Sequence, residues 1–263
     1  YAEICALTPN SPDAYFDLAG VQEKKGDLPR ALGTFRKVLA LDPKHPGAHY
    51  AVGRVLVKTG DPAGGIEEFN AALDLHRASG NEQGAATALN GLGMAYEYLS
   101  QYNEAARNFE QSLAIRERIG NRRGVCDSLR NLSLIRLSQG QYDGASRLAQ
   151  RSIDVAREIG YSAGIAAGYS SLGDCYKTSG RPDEALAAYQ EGLKVMREIG
   201  DEARRAETLS NIGYVNSLLG RYVDAFFFLK EALAKRRAIG DDGETLRSLL
   251  DIGAIEQIQG RYD

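Results

Sequence analysis

The chain has 263 residues, of which 43% are hydrophobic and 25% charged, a composition typical of soluble proteins. Its 32 basic and 35 acidic residues are spread along the whole length, so no large basic field is available to bind a nucleic-acid backbone. No apolar run approaches 18 residues, which excludes a membrane-spanning helix.

The cysteines are few and widely separated, at Cys5, Cys126 and Cys175. An odd number without close spacing argues against a disulfide framework and against a zinc site. A reducing, cytoplasmic compartment is the simplest interpretation.

Both ends of the chain match the interior of a repeated unit. Residues 3–9 align with residues 37–43 at a separation of 34, and residues 260–263 match residues 220–223, where a second helix begins. We therefore expect residues 1–11 to be the end of a preceding repeat and the chain to be a piece of a longer protein.

A unit of 34 residues, 12–45, is followed by units with a period of 40. The period is visible in three series: Gly80, Gly120, Gly160, Gly200, Gly240; Gly93, Ser133, Gly173, Gly213, Gly253; and Ala105, Ala145, Ala185, Ala225. Such a period indicates stacked copies of one supersecondary unit in a single array. The later units are placed at 46–85, 86–125, 126–165, 166–205 and 206–245, with a truncated one at 246–263.

Each unit contains two amphipathic helices. In the third, apolar residues recur at helical spacing, first at Leu89, Leu92, Gly93 and Tyr96 and, after the polar Ser100-Gln101, at Ala105, Phe109 and Leu113. The helices are predicted to be antiparallel, with Gly93 facing Ala105 so that the backbones approach closely.

Glycine and proline mark the helix ends. Glycines such as Gly120 and Gly140 are predicted to be left-handed C-terminal caps, and the prolines to occupy the first turn of second helices, at Pro29, Pro62 and Pro182. We expect the longer units to reach 40 residues by lengthening the second helix by about one and a half turns.

Counted from the first residue of each unit, a small residue at position 8, alanine at position 20 and an aromatic residue at position 24 form a pattern that resembles the tetratricopeptide repeat. The first unit carries this pattern in Tyr15, Leu18, Ala19, Ala31, Phe35, Leu39 and Pro43, and the tails 115–121 and 195–201 are similar to the long repeats of Pins/LGN-type adaptors and of multidomain bacterial regulators. The resemblance implies an all-α fold, a right-handed superhelical solenoid of antiparallel helix pairs.

The resemblance also implies a binding surface. Positions 2, 5, 6, 9 and 12 of each first helix lie opposite the core positions, and we call this side the first-helix face. In tetratricopeptide arrays it lines a concave groove that holds peptide segments. Position 6 is Asn131, Ser171 and Asn211 in three adjacent repeats, and an asparagine amide can pair with both groups of a peptide unit.

The predicted peptide-binding residues are Asp17, Arg54, Asn90, Arg130, Asn131, Ser171, Asp174, Lys177, Asn211, Tyr214 and Asp251. Acidic residues among them suit a ligand with interspersed Lys or Arg. The alternative is that these side chains are merely solvated polar groups.

An aromatic run in one second helix suggests a second surface. The position of Phe227 is occupied in equivalent helices by Gly33, Glu67, Arg107, Arg147 and Ala187, as an exposed site requires. Phe227 and Phe228 are therefore candidates for a convex interface with another domain or protomer. The alternative is that one of them packs under the following helix.

No catalytic site or cofactor motif emerges from the sequence. His45 and His49 are four apart, but Pro46 lies between them and no third metal ligand is evident. The leading hypothesis is a non-catalytic adaptor whose groove binds a peptide segment of a partner protein. The alternative is a regulatory or self-associating module of a larger signalling protein.

Overall fold

The computed structural model describes residues 10–258, apart from the side chain of Ile258, and this part of the chain is helical throughout with short turns. Residues 3–9 and 260–263, on which the expectation of a truncated chain depends, lie outside the described residues. The helices are α1 (Pro12–Lys24), α2 (Leu28–Leu41), α3 (Pro46–Lys58), α4 (Pro62–Ala78), α5 (Glu82–Tyr98), α6 (Tyr102–Arg118), α7 (Arg122–Ser138), α8 (Tyr142–Glu158), α9 (Ser162–Thr178), α10 (Pro182–Ile199), α11 (Glu202–Leu218), α12 (Tyr222–Ile239) and α13 (Asp242–Ile258).

The chain forms two compact units, residues 1–121 and 122–263. In the first, the Tyr15 hydroxyl lies 2.6 Å from Lys37 Nζ, and Gln22 Oε1 accepts a hydrogen bond of 2.8 Å from the Thr34 hydroxyl. Because these pairs run in opposite order along α1 and α2, the two helices are antiparallel. In the second unit, the first helices α7 and α9 pack directly against each other. Each unit is thus a stack of helical hairpins, and the predicted all-α class is confirmed.

The predicted glycine caps are confirmed by the backbone. Gly120 and Gly140 have φ of 71° and 73°, in the left-handed region. Ser100 takes the same conformation, φ 57°, where the other long units have glycine. Some of the next helices begin at an asparagine or aspartate cap: Asn81 accepts a 2.8 Å hydrogen bond from the Gly84 amide.

The expectation about helix length is only partly right, because the first helices lengthen as well as the second. The first helices grow from 13 residues in α1 and α3 to 17 in α5, whereas the second helices grow only from 14 residues in α2 to 17 in α6. The cause is the short turn at Gly80 and at its equivalents in later units. The next helix begins directly after this turn, at Glu82 rather than near residue 86. First helices therefore extend one turn before the boundaries at 86, 126, 166, 206 and 246.

In most hairpins the core contains a large side chain of the second helix seated in a notch on the first helix. A Cβ atom at Gly93 would lie 2.5 Å from the ring of Phe109, which is fully buried. The side chains of Tyr189 and Leu229 fill the same space beside Gly173 and Gly213. The predicted close approach is thus explained by a position-24 side chain that lies over the small residue at position 8.

One hairpin reverses these sizes. In α7 and α8, serine replaces glycine at position 8 and Ala149 replaces the ring at position 24, and both residues are fully buried. The Ser133 hydroxyl donates a 2.8 Å hydrogen bond to the Ala145 carbonyl, so the larger first-helix side chain is both accommodated and satisfied.

Gly93→Ala tests this packing. Because the Phe109 ring is enclosed, the added methyl group forces overpacking, and we expect the free energy of unfolding to fall by about 1–3 kcal/mol. The control is Gly33→Ala in α2, where an added Cβ meets nothing within 4 Å. That exposed mid-helix change is expected to stabilise by about 0.5–1 kcal/mol. Urea denaturation followed by circular dichroism measures both, and a Gly93→Ala variant as stable as Gly33→Ala contradicts the notch.

Candidate functional site

On the first-helix face of the first unit, the predicted binding residue Arg54 already has an ion-pair partner. Arg54 and Lys58 of α3 both donate to the Glu23 carboxylate of α1, which is nearly buried, the Lys58 contact measuring 3.0 Å. Asp17 on α1 is exposed. Asn90 on α5 is half-buried, with its Nδ2 3.6 Å from the sulfur of Met94.

The predicted asparagine series of the second unit is not equally accessible. Asn131 and Ser171 are only 8% and 5% exposed, whereas Asn211 is half-buried. The first helices α7 and α9 pack directly together, and neighbouring residues cover position 6 at both Asn131 and Ser171. Arg130, one residue earlier on α7, remains half-buried. Asn211 is therefore the member of the series most open to a ligand.

A polar network joins α9, α10 and α11 around Asn211. Lys177 Nζ donates to Asp174 Oδ1 at 2.9 Å and to Asn211 Oδ1 at 3.1 Å. The Tyr189 hydroxyl of α10 donates to the same Asp174 oxygen at 2.6 Å. Burial, followed by the charge of Asp174, raises the pKa of Tyr189 far above its ordinary value, so it remains a donor. The network fixes the amide orientation of Asn211, with its oxygen toward Lys177.

Beside this network lies a cavity of about 750 Å³ on the first-helix face of α11 and α13. It brings together four residues that the sequence predicted for binding: Lys177, Asn211, Tyr214 and Asp251. Tyr214 is 52% exposed, and Leu218, one turn further along α11, is 59% exposed. The cavity thus joins polar groups to an apolar surface on one helix.

The cavity also contains residues that the sequence argument did not assign to a site. Arg236 of α12 lines it although it is only 4% exposed, and it donates to the Glu244 carbonyl and the Ser248 hydroxyl of α13. A weak sequence signal existed, because the equivalent position is apolar in two units, at Ala156 and Met196, but is basic in another, at Arg116. A charged residue at a core position of the repeat indicated a polar interior contact.

The charges in the cavity are unevenly paired. Its cations each lie within 4 Å of a carboxylate: Lys177 with Asp174, Arg204 with Asp201, and both Arg236 and Arg247 with Glu244. Glu207 and Asp251 have no ion-pair partner among residues 10–258. Asp251 is exposed, but neighbouring residues displace part of the solvent around its carboxyl group and raise its pKa; Arg247 and Arg236 oppose this shift, and Glu244 adds to it.

The aromatic run on α12 divides between surface and core. Phe227 is 62% exposed, and Val223, one turn earlier, is 77% exposed. Phe228 instead packs, half-buried, against the core formed by α10, α11 and α12, which includes Leu186 and Tyr189. Phe228 is therefore not part of an open surface, since it covers the hairpin core, and only Phe227 keeps its predicted exposure.

Two histidines and two cysteines of the described residues contribute to the fold. His45 Nδ1 accepts a 3.0 Å hydrogen bond from the Ala48 amide at the start of α3, and His49 pairs with Glu68 at 2.6 Å. Cys126 and Cys175 are buried free thiols whose pKa values are raised by burial. In the described part of the chain no three His, Cys, Asp or Glu side chains could hold a metal ion, and no helix is long and apolar enough to cross a membrane.

Comparison with known proteins places the fold. Solved structures similar to the chain include BtubC (BKLC) from P. vanneervenii, with TM-score 0.67, 19% identity and coverage of 82% of this chain and 90% of that one. The apo form of RapI has TM-score 0.68 and 14% identity, covering 95% and 98%. A putative kinesin light chain with nearly identical TPR-like repeats from Podosopora anserina has TM-score 0.61 and 17% identity, covering 73% and 97%. At these identities the likeness concerns the fold alone.

Sequence comparison gives the family. No curated protein matches the sequence. A family model described as tetratricopeptide repeat matches residues 47–118 and 124–198, more than half of the chain, and a second model of the same description matches residues 1–46. The chain therefore belongs to the tetratricopeptide repeat family.

Proposed function

We propose that this chain is a protein-binding scaffold whose first-helix face holds a segment of a partner protein. Tetratricopeptide repeats are in general protein–protein interaction modules and non-catalytic scaffolds. The observation that carries the proposal is the cavity at α11 and α13, in which Lys177, Asn211 and Tyr214 meet beside exposed Leu218.

The site offers two kinds of contact to a segment. Among the described residues the Asn211 Nδ2 group has no hydrogen-bond acceptor, so it can donate to a backbone carbonyl of a ligand. The ring of Tyr214 and the side chain of Leu218 lie one helical turn apart and offer adjoining apolar area. Preorganised polar groups next to an exposed aromatic side chain are typical of binding hot spots.

Selection from a random peptide library displayed on phage, with the whole chain as bait, tests the proposal. We expect enriched peptides whose affinity falls by about tenfold or more when Asn211 and Tyr214 are both changed to alanine, since each well-made contact is worth about 1 kcal/mol. Fluorescence anisotropy of a labelled peptide measures the loss.

Phe227→Ala is the matched control, because it removes an exposed aromatic side chain of similar size from α12. It should leave the affinity of the selected peptides unchanged. Peptides that bind the double variant as tightly as the unaltered chain, or that lose affinity only with Phe227→Ala, contradict binding at the first-helix face.

A second candidate function, self-association in a regulatory module, is favoured by the exposed pair Val223 and Phe227. Two large apolar side chains one turn apart on a surface helix are a candidate contact between copies. Sedimentation equilibrium is expected to show a concentration-dependent dimer that Phe227→Ser abolishes and Tyr214→Ser does not. A monomer at every concentration removes this candidate.

The free thiols Cys126 and Cys175 support a proposed cytoplasmic location.

A further inference from the structure

We propose that the cavity at α11 and α13 accepts a cationic side chain, Arg or Lys, of the bound segment, with Glu207 and Asp251 as its counter-ions. This inference rests on the proposed function and makes it specific, because it assigns one chemical class to one position on the first-helix face. The bound segment must then carry a positive charge at this cavity, next to the apolar pair Tyr214 and Leu218.

The pairing of charges carries the argument. Lys177, Arg204 and Arg236 are each held by a carboxylate at 2.9, 2.9 and 3.1 Å, so an incoming anion would have to compete with those partners. Glu207 and Asp251 have no ion pair among the described residues. The charges left without a partner are therefore negative, and a ligand cation is complementary to them.

Asp251 is an exposed residue beside this cavity. Neighbouring residues displace part of the solvent around its carboxylate and raise its pKa, although Arg247 and Arg236 act in the opposite direction. A cation within hydrogen-bond distance restores the interactions that the carboxylate has lost.

The other walls suit a flat, extended cation better than a compact one. The exposed ring of Tyr214 can stack under a guanidinium group. Ser210 lines the same cavity, and its hydroxyl is shielded from solvent and without a hydrogen-bond partner in the described part of the chain. Arginine, with five N–H donors, can serve two separated carboxylates together, so we expect it to bind more tightly than lysine.

A nuclear magnetic resonance titration with N-acetyl-L-argininamide tests the assignment directly. We expect saturable shifts of the amides of Glu207, Asn211, Tyr214 and Asp251, with neutral N-acetyl-L-glutaminamide giving none. In the double variant Glu207→Gln, Asp251→Asn the affinity should fall about fivefold or more, as expected for two partly exposed ion pairs. The control Glu191→Gln removes an exposed carboxylate of α10 that pairs with Lys194, and should change nothing.

The library-selected peptides separate this inference from the proposed function. Peptides enriched in arginine that lose affinity in the double variant support both. Peptides that need Tyr214 but bind the double variant normally overturn the cationic assignment and leave the proposed function standing. Shifts with N-acetyl-L-argininamide, without any peptide binding at the first-helix face, overturn the proposed function and leave the cation site. Equal shifts with the neutral amide overturn the assignment.

The stability of Asp251→Asn excludes loss of folding as an explanation. A carboxyl group whose pKa is higher in the folded chain than its ordinary 3.8 lowers stability once it is ionised, and this cost disappears as the pH falls through the folded pKa. We expect Asp251→Asn to raise the midpoint of thermal unfolding at about pH 7, with a gain that shrinks toward about pH 4. A variant that is less stable at neutral pH contradicts the shielding of this carboxylate.

Discussion

In most of its hairpins the structure depends on the fit of one large side chain from the second helix over one small residue of the first. Phe109 over Gly93 and Tyr189 over Gly173 let the two backbones approach so closely that a single methyl group has no room. Hairpins whose two helices are packed this closely can then stack on one another. Stacking in turn commits positions 4, 7, 8 and 11 of the first helix to the core and leaves the opposite side to the surface.

That division explains where specificity can arise in the second unit. The notch residues are apolar and repeated, so they carry no information about a ligand. The first-helix face varies instead: Asp174, Lys177 and Asn211 form a fixed polar network, and Tyr214 is exposed beside it. Side chains held by their neighbours lose little entropy on binding, which favours recognition of a defined chemical group.

Much of the fold could be predicted from the sequence because local, periodic patterns of residues specify it. The left-handed glycine turns, the antiparallel hairpins and the all-α class follow from spacing, and the backbone confirms them at Gly120 and Gly140. The helix starts could not be placed from the apolar stripe alone. The first turn of each long first helix, beginning at residues such as Glu82, lies before the repeating core positions, so lengthening was assigned to the second helix only.

The candidate site was less predictable, because it depends on contacts between repeats. Helical periodicity places Asn131 and Ser171 opposite the core, but it does not show that neighbouring residues bury them. It places Phe227 on the surface but cannot show that Phe228 reaches the core formed by α10, α11 and α12. Nor does it reveal that Arg236 is drawn into the cavity by acceptors on α13, since these lie in the next unit.

The central claim is that stacked hairpins leave the first-helix face, and not the second helices, to bind a partner. Amide hydrogen exchange of the whole chain, alone and saturated with a library-selected peptide, tests it most directly. The account predicts added protection in α11 and α13 and unchanged exchange in α10 and α12. Added protection centred on α12 near Phe227, with α11 unchanged, contradicts it.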